Sequence, residues 1–132
     1  MPLVAGYVEL NDGPSRPLPN AAAGLEHGNP IRKVFKSRLP TCDVFDEARY
    51  FESARTVAPV EIAGKRIGIT ICEDIWTEDY LPRRPCGSSP VDDLLAQGAE
   101  LIVSLSGAFP TQKSFLTFQE QFSEIFAGQP TE

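Results

Sequence analysis

Two side chains in this sequence have the type and placement for nucleophilic catalysis: a cysteine and a lysine, each at the end of an apolar strand. The run Ile67-Gly68-Ile69-Thr70-Ile71-Cys72-Glu73-Asp74-Ile75-Trp76 is apolar up to the cysteine, then turns at once to acids and an aromatic. A nucleophile at the end of a buried strand is held by the sheet yet open to a cleft, the logic of a serine on a strand-to-helix elbow. A thiol attacks as thiolate, so it needs a cation or a base beside it. His27 is the obvious partner by chemistry, but it lies in the turn His27-Gly28-Asn29-Pro30, where an isolated histidine reads as a solvated turn residue. Lys36 is better placed, directly after the apolar run Ile31–Phe35 and before a Pro-constrained loop. A lysine next to a thiol stabilises the thiolate and a developing oxyanion. On the residues alone the bland alternative stands beside this one: Cys72 an inert buried cysteine, Lys36 a solvated loop lysine.

The elements that must hold these groups follow from periodicity and turn residues. Leu3–Leu10 reads as a strand, followed by a surface loop, Asn11–Asn20, with three prolines. Asn20–Glu26 and Ile31–Phe35 are apolar runs around a short Gly/Asn turn, the pattern of a hairpin. Lys36–Phe51 mixes acids with aromatics without periodicity and reads as an irregular functional loop. Val57–Ile62, Ala63-Gly64 and Lys65–Ile71 form a second hairpin, in which strand alternation puts Cys72 on the face of Gly68 and Thr70. Ser88 and Ser89, Pro90 and the acids Asp92 and Asp93 start a helix that Gly98 closes. Leu101–Leu105 follows as a buried strand, and a last helix begins at Thr111, with Phe115, Phe118, Phe122, Ile125 and Phe126 at helical spacing. Tyr80–Pro90, with Arg83-Arg84, reads as an exposed insertion. Strands alternating with helices imply a layered α/β arrangement.

Composition narrows the function. A chain of 132 residues, 42% hydrophobic and 23% charged, is one globular domain or a piece of a larger one. Its net charge of −6 lacks the basic footprint of a nucleic-acid or anionic-membrane binder, so neither is expected as a partner. No apolar run reaches the ~20 residues of a membrane span, and the start of the chain lacks a targeting pattern, so a cytoplasmic location is expected. Three widely spaced cysteines, Cys42, Cys72 and Cys86, with one histidine disfavour both a disulfide scaffold and a zinc site. The adjacent acids Asp46/Glu47 and Asp92/Asp93 do not read as a metal site, since neighbouring carboxylates on a strand point apart and those at a helix start serve the dipole, and no metal is expected. Gly64-Lys65 lacks the first glycine of a P-loop, and there is no G-x-S-x-G.

Three segments together carry a resemblance: Lys36-Ser37-Arg38-Leu39-Pro40-Thr41, Val44-Phe45-Asp46-Glu47-Ala48-Arg49-Tyr50-Phe51, and Ile71-Cys72-Glu73-Asp74-Ile75-Trp76. With Pro90–Ala99 and Leu101–Pro110 in the same order, the chain resembles the nitrilase-type (carbon-nitrogen hydrolase) domain of glutamine-dependent NAD synthetases over most of its length. The resemblance implies a partial αββα sandwich of the nitrilase superfamily, spanning residues 1–132, with Cys72 and Lys36 at adjacent strand ends. It implies glutamine amide hydrolysis, with Cys72 as nucleophile, Lys36 supporting the tetrahedral intermediate and Glu47 a supporting acid near the lysine. Glu73, Trp76 and Ser106 would line the glutamine pocket, and the Glu73 backbone N–H would join an oxyanion hole. The ammonia would serve a separate ATP-using synthetase domain that amidates nicotinic acid adenine dinucleotide. No cofactor is expected in this chain itself, and that synthetase domain or a second copy of the chain is the expected protein partner.

The resemblance is incomplete. The family's third catalytic group, a glutamate acting as general base and acid, precedes the lysine by more than Glu9 or Glu26 does, and those two match strand or turn positions. About half the domain is therefore expected here, and losing a general base costs ~10²–10⁴ in rate. Cys42, Ser104 and Phe109-Pro110 also depart from the family pattern. Two other functions stay open: a non-catalytic remnant or partner-binding fragment of such a domain, and a free-standing nitrilase-family amidase.

Overall fold

The computed structural model describes residues 1–10, 18–39, 47–76 and 89–107. The Thr111 helix, the 80–90 insertion up to residue 88, Cys42, Cys86, Asp46 and Phe109-Pro110 lie outside them.

Strand β1 (Leu3–Val8) pairs antiparallel with β2 (Leu18–Glu26), and β2 pairs antiparallel with β3 (Asn29–Phe35). The β2–β3 connection is the two-residue turn His27-Gly28, with φ of 51° and 81°. Two positive φ values in succession make the mirror-image turn that matches strand twist, which explains why the Gly signal predicts this hairpin correctly. A single helical turn, α1 (Glu47–Tyr50), leads into the short β4 (Phe51–Glu52), which pairs in parallel with the start of β2 at Leu18 and Pro19. The segment read as irregular from Lys36 to Phe51 thus ends in regular structure.

The second sheet has the order β5 (Val60–Ile62), β6 (Lys65–Ile71), β7 (Leu101–Leu105). The β5–β6 turn again has two positive φ values, 53° at Ala63 and 74° at Gly64. Between β6 and β7 runs the helix α2 (Pro90–Ala96), with Ser89 at its N-cap accepting from the Asp92 N–H and Gly98 at φ 81° beyond its end. The β6–α2–β7 unit makes β6 and β7 parallel, with Ile71 opposite Leu105.

Ala22 and Val34 of the first sheet pack on Val60, Ile62, Ile69 and Ile71 of the second, so the two sheets face each other across one core. A second cluster of Ile75, Val91, Leu94 and Ile102 fills the space between the second sheet and α2. Gly68 permits this contact: a Cβ there would lie 2.6 Å from Ile102 Cδ1 and 3.1 Å from Leu94 Cδ1. The described residues form three layers, sheet on sheet on helix, the layered α/β arrangement expected.

Two expectations need correction. Strand β7, the outermost of its sheet among the described residues, is not buried throughout: Ile102 is buried, but Leu101 is 54% exposed. Cys72 does not continue the alternation of β6 onto the Gly68 face. Its φ of 51° turns the chain at the strand end, and its side chain packs beside the cluster that holds Ile69 and Ile71.

Candidate active site

The thiol sits on a turn. Strand β6 ends at Ile71, and the 3-10 turn Cys72–Ile75 starts with Cys72 in the left-handed region. A residue with a Cβ adopts that conformation at a cost of about 1–2 kcal/mol, which the surrounding structure must offset. Because β6 and β7 run parallel, their C-terminal ends meet. Ser106, just past β7, therefore places its Oγ 3.8 Å from Cys72 Sγ. Open ends of parallel strands are where α/β sheets gather their ligands.

Lys36 reaches the same place from the first sheet. Val34, Lys36 and Arg38 fall on the same side of an extended segment and all three are buried. The Lys36 N–H bonds the Asn20 carbonyl at 2.8 Å, extending the ladder, and its own carbonyl accepts from Ala54 N–H at 2.9 Å. The side chain is 0% exposed, so Lys36 is not a solvated loop lysine. A buried ammonium persists when it is paired. Its Nζ lies 2.8 Å from Glu47 Oε2 and 2.5 Å from Glu73 Oε2.

These neighbours set the proton affinities. Burial pulls the Lys36 ammonium down, but the hydrogen bonds and charges of Glu47 and Glu73 outweigh it, and its pKa is raised. Burial pushes the Cys72 thiol up, and the charge and hydrogen bond of Glu73 push it further. Lys36 and Ser106 act in the opposite sense without reversing the shift. At rest the thiol holds its proton, so attack on a carbonyl requires a base.

The residues singled out from sequence fall into three groups. Cys72, Lys36, Glu47, Glu73 and Ser106 come together. Trp76 ends the same turn, half-buried, its N–H on the Glu73 carbonyl and its own carbonyl accepting from the Arg38 guanidinium. His27 is exposed at the far end of β3 from Lys36. Glu73 differs from expectation in one respect: it is 6% exposed, and its carboxylate is engaged by Lys36. Of the upstream acids, Glu9 pairs with Lys33 at 2.5 Å, and Glu26 ends β2 beside the hairpin turn.

Sequence reasoning missed Asp74. Its Oδ1 accepts from Ser37 N–H (3.1 Å), Ser37 Oγ–H (2.8 Å) and Arg38 N–H (2.7 Å), and its Oδ2 accepts from Ile71 N–H (3.2 Å). An acid set inside the apolar frame of Ile71, Ile75 and Trp76 was the available signal, since such a carboxylate is buried with the turn. Among the described residues no group of three His, Cys, Asp or Glu side chains is arranged to hold a metal ion.

No protein-family model matches the chain. In sequence it is 39% identical over 90 residues to the glutamine-dependent NAD(+) synthetase of Synechocystis sp., a match that covers 67% of this chain and 16% of the relative. It is 35% identical over 103 residues to that of Aquifex aeolicus, covering 78% of this chain and again 16% of the relative. In structure it is similar to the glutamine-dependent NAD+ synthetase from Acinetobacter baumannii, with a TM-score of 0.73 and 25% identity, covering 95% of this chain and 22% of that one. A Saccharomyces cerevisiae member of branch 10 of the nitrilase superfamily shares the fold at a TM-score of 0.67 and 17% identity, over 91% of this chain and 38% of that one.

Proposed function

From a chain that carries a partial nitrilase-superfamily fold and is similar in sequence to glutamine-dependent NAD synthetases, we propose hydrolysis of the glutamine side-chain amide through a Cys72 thioester. The observation that carries the reading is the fully buried Lys36 ammonium, set 2.5 Å from the residue that follows a left-handed cysteine. An ordinary core has no use for such a lysine, whereas acyl transfer needs a fixed cation where negative charge develops.

In this reading Cys72 Sγ bonds to the amide carbon as its proton passes to a carboxylate general base, the role the family resemblance gives to a glutamate other than Glu9 and Glu26, and the carbonyl electrons move onto oxygen. Lys36 and the Glu73 N–H stabilise that oxygen. The C–N bond breaks as the nitrogen takes that proton back from the base, releasing ammonia, and water, giving its proton to the same base, then adds to the thioester carbon and expels the Cys72 sulfur as the thiol, leaving glutamate. Glu47 holds the lysine, while Trp76, Ser106 and the Glu73 segment border the substrate. The ammonia serves amidation of nicotinic acid adenine dinucleotide by an ATP-using synthetase domain, the partner this reading assigns to the chain.

A second reading, a non-catalytic fragment of such a domain, draws on one observation: Lys36 is already bonded to two carboxylates, and the thiol is held protonated. Ammonia release from glutamine separates the two. Catalysis requires a rate that Cys72→Ala abolishes, and an unchanged rate in that variant rules out the thioester.

A further inference from the structure

Asp74 joins the two halves of the site without being one of its proposed reacting groups. It is 3% exposed, and both carboxylate oxygens are taken: Oδ1 by donors from the end of the first sheet, Oδ2 by the N-cap residue of Asp74's own turn. Oδ1 gathers Ser37 and Arg38, the two residues after Lys36, while Oδ2 takes the N–H of Ile71, the residue before Cys72. The Ile71 N–H stands at a strand end that β5 does not reach, since β5 pairs with β6 only as far as Ile67. Burial pushes the Asp74 carboxyl up while these bonds pull it down. A carboxylate kept in so dry a place is expensive unless its bonds do something an apolar side chain would not. What they do is fix the distance between the lysine's strand end and the cysteine's turn.

We propose that Asp74 is a positioning residue for the amide hydrolysis, clamping the left-handed Cys72 turn to the Lys36 strand end so that thiol and ammonium face the same carbonyl. The inference rests on the proposed hydrolysis. Its geometry makes a specific variant informative. Asp74→Asn keeps one acceptor oxygen for Ser37 and Arg38 but turns an NH2 donor toward the Ile71 N–H, so the cysteine arm of the clamp opens and the lysine arm stays. Ser37→Ala removes one of three donors to Oδ1 and leaves both backbone bonds.

The test uses the full chain and its Asp74→Asn, Asp74→Glu and Ser37→Ala variants, with three readouts. These are kcat and KM for ammonia release from glutamine, the pH dependence of iodoacetamide alkylation at the Cys72 peptide, and the thermal midpoint. For Asp74→Asn, kcat falls about 10- to 100-fold with KM within about threefold, as expected of a misplacement near 1 Å. Its alkylation curve moves to higher pH because the turn, without its Ile71 cap, lets the Cys72 thiol drift from the Lys36 ammonium that favours the thiolate. Ser37→Ala stays close to wild type. A folded Asp74→Asn with wild-type kcat and alkylation curve overturns the proposal, and so does a loss that merely tracks the unfolded fraction. If no chain releases ammonia but the alkylation curve shifts as described, the clamp stands and the hydrolysis reading fails.

Discussion

The Lys36 ammonium and the Glu73 carboxylate form a buried ion pair at 2.5 Å that ties the end of one sheet to the turn that begins at Cys72 in the other. Glu47 closes the pair from a second side at 2.8 Å. One cation between two carboxylates explains why a lysine survives in the core. It also sets the electrostatic price of using the thiol: Glu73 opposes the thiolate that Lys36 favours.

Lys36→Met removes the cation and leaves Glu73 buried opposite Glu47. Breaking a buried pair from one side costs about 3–5 kcal/mol, and because the Glu47 side chain is 21% exposed, the lower end is expected. Denaturant unfolding measures the loss. Adding Glu73→Leu to Lys36→Met restores part of the stability while catalysis stays about 10²–10³-fold down, as expected when an oxyanion donor is missing.

The thiol gives a pH signature. Its raised pKa means that the folded chain binds that proton more tightly than the unfolded one. Folding stability contributed by Cys72 is therefore full below the ordinary thiol range and is lost as pH rises toward the raised folded value. In Glu73→Gln the charge opposing the thiolate is gone, so the alkylation curve of Cys72 moves to lower pH. A curve that stays in place or moves up contradicts the electrostatic account of the site.

Gly68→Ala tests the packing behind the site. The added methyl meets Ile102 Cδ1 at 2.6 Å and two atoms of Leu94 within 3.3 Å, so the Ile102 side chain must move aside and Leu94 must give by a few tenths of an ångström. Overpacking of this kind costs about 1–3 kcal/mol. A thermal midpoint equal to wild type would mean that Ile102 and Leu94 do not pack on Gly68 as the structure has them.

Much of this architecture can be read locally. Both hairpins announce themselves through a glycine that permits positive φ, at Gly28 and Gly64, and α2 through Ser89, Pro90 and Gly98. Cys72 and Lys36 are legible as strand ends. What the local pattern does not encode is how fully each strand is covered, and so Leu101 looks buried in sequence yet is exposed among the described residues. The same holds for the bonds of Glu73 and Asp74, whose partners lie 36 or 37 residues away for Lys36, Ser37 and Arg38. Lys36 itself carried an unused signal: it stands two residues after Val34, in phase with the core.

The most direct test of the central claim is the labelling rate of Cys72 by an electrophile shaped like glutamine, read by mass at that residue with and without free glutamine. The account predicts that Cys72 reacts faster than free cysteine, that glutamine protects it, and that iodoacetamide labelling is not protected to the same degree. A rate no faster than that of free cysteine, indifferent to glutamine, would contradict a glutamine site built around this thiol.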